Sequence, residues 1–227
     1  MKSIKIKFGL SLVFALFIIV ISLSSKALYL SIYHYLVMFI FVIFIVDEML
    51  ILIPKFNTNK ITNKTYKSNY IEKTYNQKEL NQLVIKNNIR AIIVFIAYFG
   101  SLAICGYLYL KYENIDSRFI IILFALINLG DYTCILIWCP FKEMFLKNSC
   151  CTNCRISNWD RLMKFYILLF IPSLFTIILV FLGLIIFFYW EIIHFLHPER
   201  FYSLSNDLLT CKRCDTHKCK QTKRQPN

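Results

Sequence analysis

Five apolar runs dictate what this chain can become: residues 8–21, 27–46, 89–110, 119–138 and 165–193 are dominated by Leu, Ile, Phe and Val. Runs of about 18 or more such residues are membrane-span candidates, because every backbone polar group in hydrocarbon must be satisfied within the segment. Hydrophobic residues make up 58% of the chain and aromatic residues 17%, with a mean hydropathy of +0.56, which is too apolar for one soluble core. The predicted class is therefore all-α: a polytopic transmembrane helical bundle of about five spans with a short cysteine-rich loop and tail. A multi-pass protein of the cell membrane is expected.

The net charge of +13 sits in the connecting segments, where positive charge orients helices and meets anionic headgroups, so the lipid bilayer is the expected partner and nucleic acid is not. Homo-oligomerisation or a membrane-protein partner is the protein-level interaction such a bundle would make. The chain divides into a transmembrane hairpin over 1–54, a basic polar loop over 55–88, spans three and four over 89–138, a cysteine-rich loop over 139–164, span five over 165–197 and a basic cysteine-rich tail over 198–227.

Lys2, Lys5 and Lys7 precede the first run and place the N-terminus inside the cell. Ser22-Leu23-Ser24 has the small-x-small form of a signal-peptide cleavage site, but the next run starts at Ala27, so an uncleaved helical hairpin is the favoured reading. Asp47 and Glu48 mark the expected end of the second helix. Within 55–88, Leu80, Leu83 and Val84 share a face and predict a short amphipathic helix over 75–86. In the third run Ala97, Gly100, Ser101, Ala103 and Gly106 permit close approach of a neighbouring helix.

Three polar residues fall inside the apolar runs. His34 lies beside Tyr33 and Tyr35, near an interfacial belt, while Asn128 and Asp131 are three apart and share a helix face. An acid at that depth costs about 2.5 to 3.5 kcal/mol, which the surrounding Leu, Ile and Phe residues outweigh, so Asp131 is expected to face protein or a water-filled cavity. Interhelical hydrogen bonding is the plain reading; an ion or substrate pathway is the sharper one.

Apolar burial leaves the cysteines unexplained. Nine are present, and Cys139, Cys150, Cys151 and Cys154 fall in the loop before the last run. Pro140 ends the fourth helix at Cys139, and Phe141, Met144 and Phe145 suit a membrane interface. The CxxC pair Cys151/Cys154 places two sulfurs within reach of one tetrahedral ion, and Cys139 or Cys150 offers further ligands. In the tail, Cys211, Cys214, His217 and Cys219 resemble a zinc knuckle, and Lys212, Arg213, Lys218 and Lys220 favour thiolates. Zinc is the expected metal, although iron–sulfur ligation would use the same thiolates. Glu191, His194 and His197 also recur at helical spacing, and are read as the polar interfacial end of the last helix.

Residues 165–193, if continuously helical, would extend about 43 Å and make one tilted crossing. That puts the two cysteine clusters on opposite sides, with the loop inside and the basic tail outside; a shared site would require the segment to re-enter. In the reducing cytoplasm the loop cysteines would be thiols or ligands, and an exported tail could instead hold a disulfide.

Cys139-Pro140, Cys150-Cys151-Thr152-Asn153-Cys154-Arg155-Ile156, Trp159, and His197-Pro198-Glu199-Arg200-Phe201 with Cys211 and Cys214 carry a resemblance. Over its C-terminal half the chain resembles an uncharacterised family of small multi-pass membrane proteins of Gram-positive anaerobes. The resemblance implies no activity. Tetraspanins, with Cys-Cys-Gly in a large loop, and membrane acyltransferases, with Asp-His-His-Cys, are not matched. The reading is a membrane protein with structural cysteine–metal sites in a binding or scaffold role. The alternatives are a thiol-disulfide or electron-transfer protein using a CxxC pair, and a small transporter using Asp131; whether the chain is an enzyme stays open.

Overall fold

The computed structural model describes residues 2–23, 27–52, 64–112, 116–146 and 155–210. Among these the chain is helical, with one isolated antiparallel bridge between Glu72 and Asn206. The helices are α1 (Lys2–Leu23), α2 (Ala27–Leu52), α3 (Gln77–Lys111), α4 (Arg118–Leu136), α5 (Asp160–Phe165) and α6 (Leu174–Leu196). Among the described residues α3, α4 and α6 are long and apolar enough to cross a membrane. That is the signature of a membrane protein.

Two expected boundaries move. Helix α2 runs through Asp47 and Glu48 to Leu52, because Met49, Leu50, Ile51 and Leu52 continue the apolar pattern beyond the acids. The amphipathic stretch and the third span are one helix, α3, since no Gly or Pro interrupts residues 77–99. Its start is fixed by Asn76, whose Oδ1 accepts from the Lys78 backbone N–H at 3.0 Å. Glu79 in the first turn and Lys111 in the last complement the helix dipole.

The largest departure concerns the last apolar run, which folds back on itself. A 3-10 turn (Arg155–Asn158), α5 and a second 3-10 turn (Tyr166–Phe170) form one leg; α6 forms the other. Ile171 is extended because Pro172 follows it. Ser173 then starts α6: its hydroxyl accepts from the Thr176 backbone N–H at 3.2 Å, and the Thr176 hydroxyl accepts from the Ser173 N–H at 3.1 Å. This reciprocal cap does what Ser-x-x-Glu does in a capping box. Thr176 also donates to the Ile171 carbonyl at 2.6 Å, which closes the turn.

The chain divides into two compact units, the first comprising Met1–Asn57, Phe95–Trp138 and Trp159–Phe188, and the second Thr58–Val94, Cys139–Asn158 and Tyr189–Asn227. In the first, Ile18 of α1, Ile120 and Phe124 of α4, Phe165 of α5 and Leu179 of α6 are fully buried. Phe124 is the hub, with ring contacts to Phe14, Phe41, Phe44 and Phe165. The two legs of the fold-back run antiparallel there, Trp159 packing on Phe187 with ring centroids 5.8 Å apart. A Cβ at Gly183 would stand 3.3 Å from the Phe165 ring and 3.5 Å from the Arg161 carbonyl, so glycine lets the legs close. Gly106, as its small size suggested, receives the Phe170 ring, whereas Gly100 has nothing against it.

The second unit is organised by aromatic contacts and by Asn206. Trp190 packs against Tyr66 and Phe201. The buried Asn206 amide donates to the carbonyls of Lys64 at 3.2 Å and Arg200 at 2.9 Å, and the Asp207 N–H donates to Ile71 at 2.9 Å. The loop over 64–72 and the segment after α6 are thereby sewn together.

Candidate functional site

In the first unit, Asp160, Arg161 and Lys164 follow Trp159 on the short leg of the fold-back, and Arg161 and Lys164, three apart, share a face. That face meets Glu48 of α2, which is completely buried. Arg161 Nε lies 2.6 Å from Glu48 Oε2 and Lys164 Nζ 3.2 Å from Glu48 Oε1. A second carboxylate, Asp160, holds Arg161 Nη1 at 2.9 Å, so two cations face two acids. The contacts to Glu48 are close ion pairs without the angles of aligned hydrogen bonds. Lys164 is further held over the rings of Phe165 at 4.9 Å and Phe44 at 5.6 Å.

Desolvation of such a group is repaid only when every charge is matched, and removing one partner costs about 3 to 5 kcal/mol. The arrangement thus anchors the short leg to α2, and its cations already occupy the place a bound cation would take.

The three polar residues of the apolar runs have different settings. Asn128 is buried, and its Nδ2 donates to the Ser11 hydroxyl at 2.9 Å, joining α4 to α1. Asp131 is half-buried in α4 and adds to the negative field around Arg161. His34 is carried by α2.

In the second unit, Arg155 is the centre. Its Nε donates to Glu191 Oε1 at 3.0 Å, its Nη2 to Glu191 Oε2, and its Nη1 to Asn88 Oδ1. This is the two-pronged guanidinium–carboxylate match that lysine cannot make. His194 Nε2 shares a hydrogen bond with the Tyr202 hydroxyl at 3.1 Å, and His197 Nδ1 with Glu199 at 3.1 Å. Burial pushes the Tyr202 hydroxyl above its ordinary pKa, despite opposing contributions from Asn87 and Arg155. Glu191, His194 and His197 therefore each engage a protein group. Among the described residues no three His, Cys, Asp or Glu side chains converge on a metal-sized site.

Of the cysteines singled out from the sequence, Cys139 is a half-buried thiol just beyond α4. Cys150, Cys151, Cys154, Cys211, Cys214, His217 and Cys219 lie outside the described residues. Their flanks are described. Arg155, the residue after Cys154, is the clamp just given. Thr210, the residue before Cys211, donates its hydroxyl to the Asp207 carbonyl at 2.6 Å, four residues beyond the bridge between Glu72 and Asn206.

Sequence reasoning missed Glu48, Arg161 and Lys164 because it assigned charges at the edges of apolar runs to solvent. A signal existed: Met49 to Leu52 are apolar beyond Glu48, and Asp160, Arg161 and Lys164 alternate with Leu162, Met163 and Phe165, so both sets of charges have apolar neighbours on either side. The three long apolar helices point to a helical membrane protein, and internal ion pairs help to hold it together. Compared with known protein families, curated proteins and solved structures, the chain matches none.

Proposed function

We propose that this is a multi-pass protein of the cell membrane whose loop and tail cysteines bind zinc in a structural or binding role. Helices α1, α2, α3, α4 and α6 would supply five spans, and the short leg before α6 would pass back through the bilayer beside them, so that the chain after α6 returns to the side from which that leg starts. The Arg155 clamp carries the reading: a two-pronged ion pair to Glu191 with a third bond to Asn88 fixes the residue next to Cys154. A ligand pair held at its flank loses less freedom on binding metal than one on an untethered strand. Structural zinc in small modules contributes about 10 to 16 kcal/mol at neutral pH, enough to order segments too short for a core of their own.

The Glu48 cluster supports an anchoring role, because its opposite charges face one another and are sealed from solvent. The resemblance to small membrane proteins of Gram-positive anaerobes fits the same reading and adds no activity.

The test is the metal content of detergent-purified full-length protein, wild type against Cys151→Ser/Cys154→Ser. About one or two zinc ions per chain are expected in the wild type, with a clear fall in the variant. A metal-free wild type whose cysteines resist alkylation until reduced would replace zinc by disulfide chemistry.

A further inference from the structure

We infer that Asp131 and Asn128 of α4 and Ser11 of α1 bind one small monovalent metal cation of the sodium class. The inference is independent of the zinc reading above.

An orphaned oxygen is the starting point. Asn128 is 3% exposed; its Nδ2 donates to the Ser11 hydroxyl at 2.9 Å, and its Oδ1 is buried with no hydrogen-bond partner. A buried acceptor has lost its hydration, so it calls for a donor or a cation. Asp131 lies three residues further along α4 on the same face, and helical side chains lean toward the helix N-terminus, which carries its carboxylate back over the Asn128 turn. Two acceptors, one of them charged, therefore become neighbours.

The surroundings add oxygens and no proton. Ser11 is itself buried, and its Oγ keeps a lone pair after accepting from Asn128. Tyr98 of α3 feels the Asp131 charge, but its single hydroxyl proton goes to the Met163 carbonyl at 3.2 Å. Phe124, one turn before Asn128 on α4, is fully buried against Phe14, Phe41 and Phe44, which gives the orphaned oxygen an apolar wall.

Charge sets the valence. Among the described residues of this unit, Glu48, Asp160 and Asp131 surround Arg161 and Lys164, while Asp47 is matched by Lys7 at 3.7 Å. One negative charge is in excess. A monovalent ion balances it, whereas a divalent ion would leave an unmatched positive charge in a poorly hydrated place. Carboxylate, amide and hydroxyl oxygens are hard ligands, suited to small hard cations and not to zinc or copper. An acid carried inside an apolar helix is the usual core of such a site.

The experiment follows thermal unfolding of the detergent-purified full-length protein in sodium chloride and in choline chloride at equal ionic strength, so that screening is the same in both. A bound ion raises the melting temperature of the wild type in sodium, by about 3 to 6 °C for each tenfold increase beyond half-saturation. Asp131→Asn and Asn128→Ala should melt alike in the two salts. The readout is the sodium increment, so a variant that is merely less stable still reports. Equal melting of the wild type in both salts needs no variant and would overturn the proposal; the Asn128 amide would then be turned over, with Nδ2 on Asp131 and Oδ1 on the Ser11 hydroxyl. A sodium increment that survives Asp131→Asn would place the ion elsewhere and overturn the assignment as surely.

Discussion

Two glutamate–arginine pairs hold this molecule, and they differ in kind. Glu48 and Arg161 have side chains 0% and 8% exposed, with Lys164 and Asp160 completing a sealed cluster. Glu191 and Arg155 are 21% and 19% exposed, and their strength comes from two-pronged geometry. The first pair is costly to form and costlier to break, because neither charge has water to fall back on. The second is an adjustable clamp whose partners can be rehydrated. A sealed cluster suits an anchor; a half-open clamp suits a joint that exchanges with water.

The largest effect should come from Glu48→Ala. Two buried cations would lose their shared carboxylate, at about 3 to 5 kcal/mol of stability, with reduced membrane accumulation. Thermal unfolding in detergent, followed by loss of the monodisperse peak, measures it. A loss below about 1 kcal/mol would place the pair in the ordinary surface class.

Gly183→Leu disturbs the same region without touching a charge. The added side chain meets the Phe165 ring and the Arg161 backbone, and a cost of about 1 to 3 kcal/mol is expected in the same assay. An unchanged midpoint would mean that the two legs are not packed as described.

Arg155→Ala should cost less than Glu48→Ala, about 1 to 2 kcal/mol, since the released Glu191 gains water. The two pairs should also separate by salt. Raising ionic strength to about 1 M shortens the screening length to about 3 Å, so it should weaken the Arg155 clamp and leave the Glu48 cluster unmoved. Equal salt response in double-mutant cycles at both pairs would erase the distinction.

The smallest effect is expected at Asp116, in the turn before α4. Partial burial raises its carboxyl pKa, but the backbone N–H and guanidinium of Arg118 and the Ser117 hydroxyl outweigh that and hold it below the usual range. Its contribution is therefore present above its unfolded-state pKa near 3.9 and is lost as pH falls through the lower folded value. The carboxylate is half exposed, so solvent screening keeps Asp116→Asn within about 0.5 kcal/mol at pH 7. Any difference between wild type and variant should vanish under strong acid.

Hydropathy made the helical class and most helix positions legible, because burial in lipid depends on the summed character of long runs. It could not show the fold-back. Ile171-Pro172-Ser173 sits inside an apolar run, and the turn is made by hydroxyl caps at Ser173 and Thr176 that hydropathy scores as mildly polar. Nor could it show the Glu48 cluster, whose members are far apart in sequence and join only through tertiary packing. Local spacing did identify the close approach at Gly106, where the Phe170 ring packs.

The side of the membrane reached by the C-terminal tail tests the account most directly. An epitope appended after Asn227 is exposed to impermeant protease on intact cells, then again after permeabilisation. The fold-back at Ile171-Pro172-Ser173 predicts protection until the membrane is opened, matching an epitope placed before Met1. Cleavage on intact cells, with the N-terminal epitope still protected, would mean that the last run crosses once as a single continuous span.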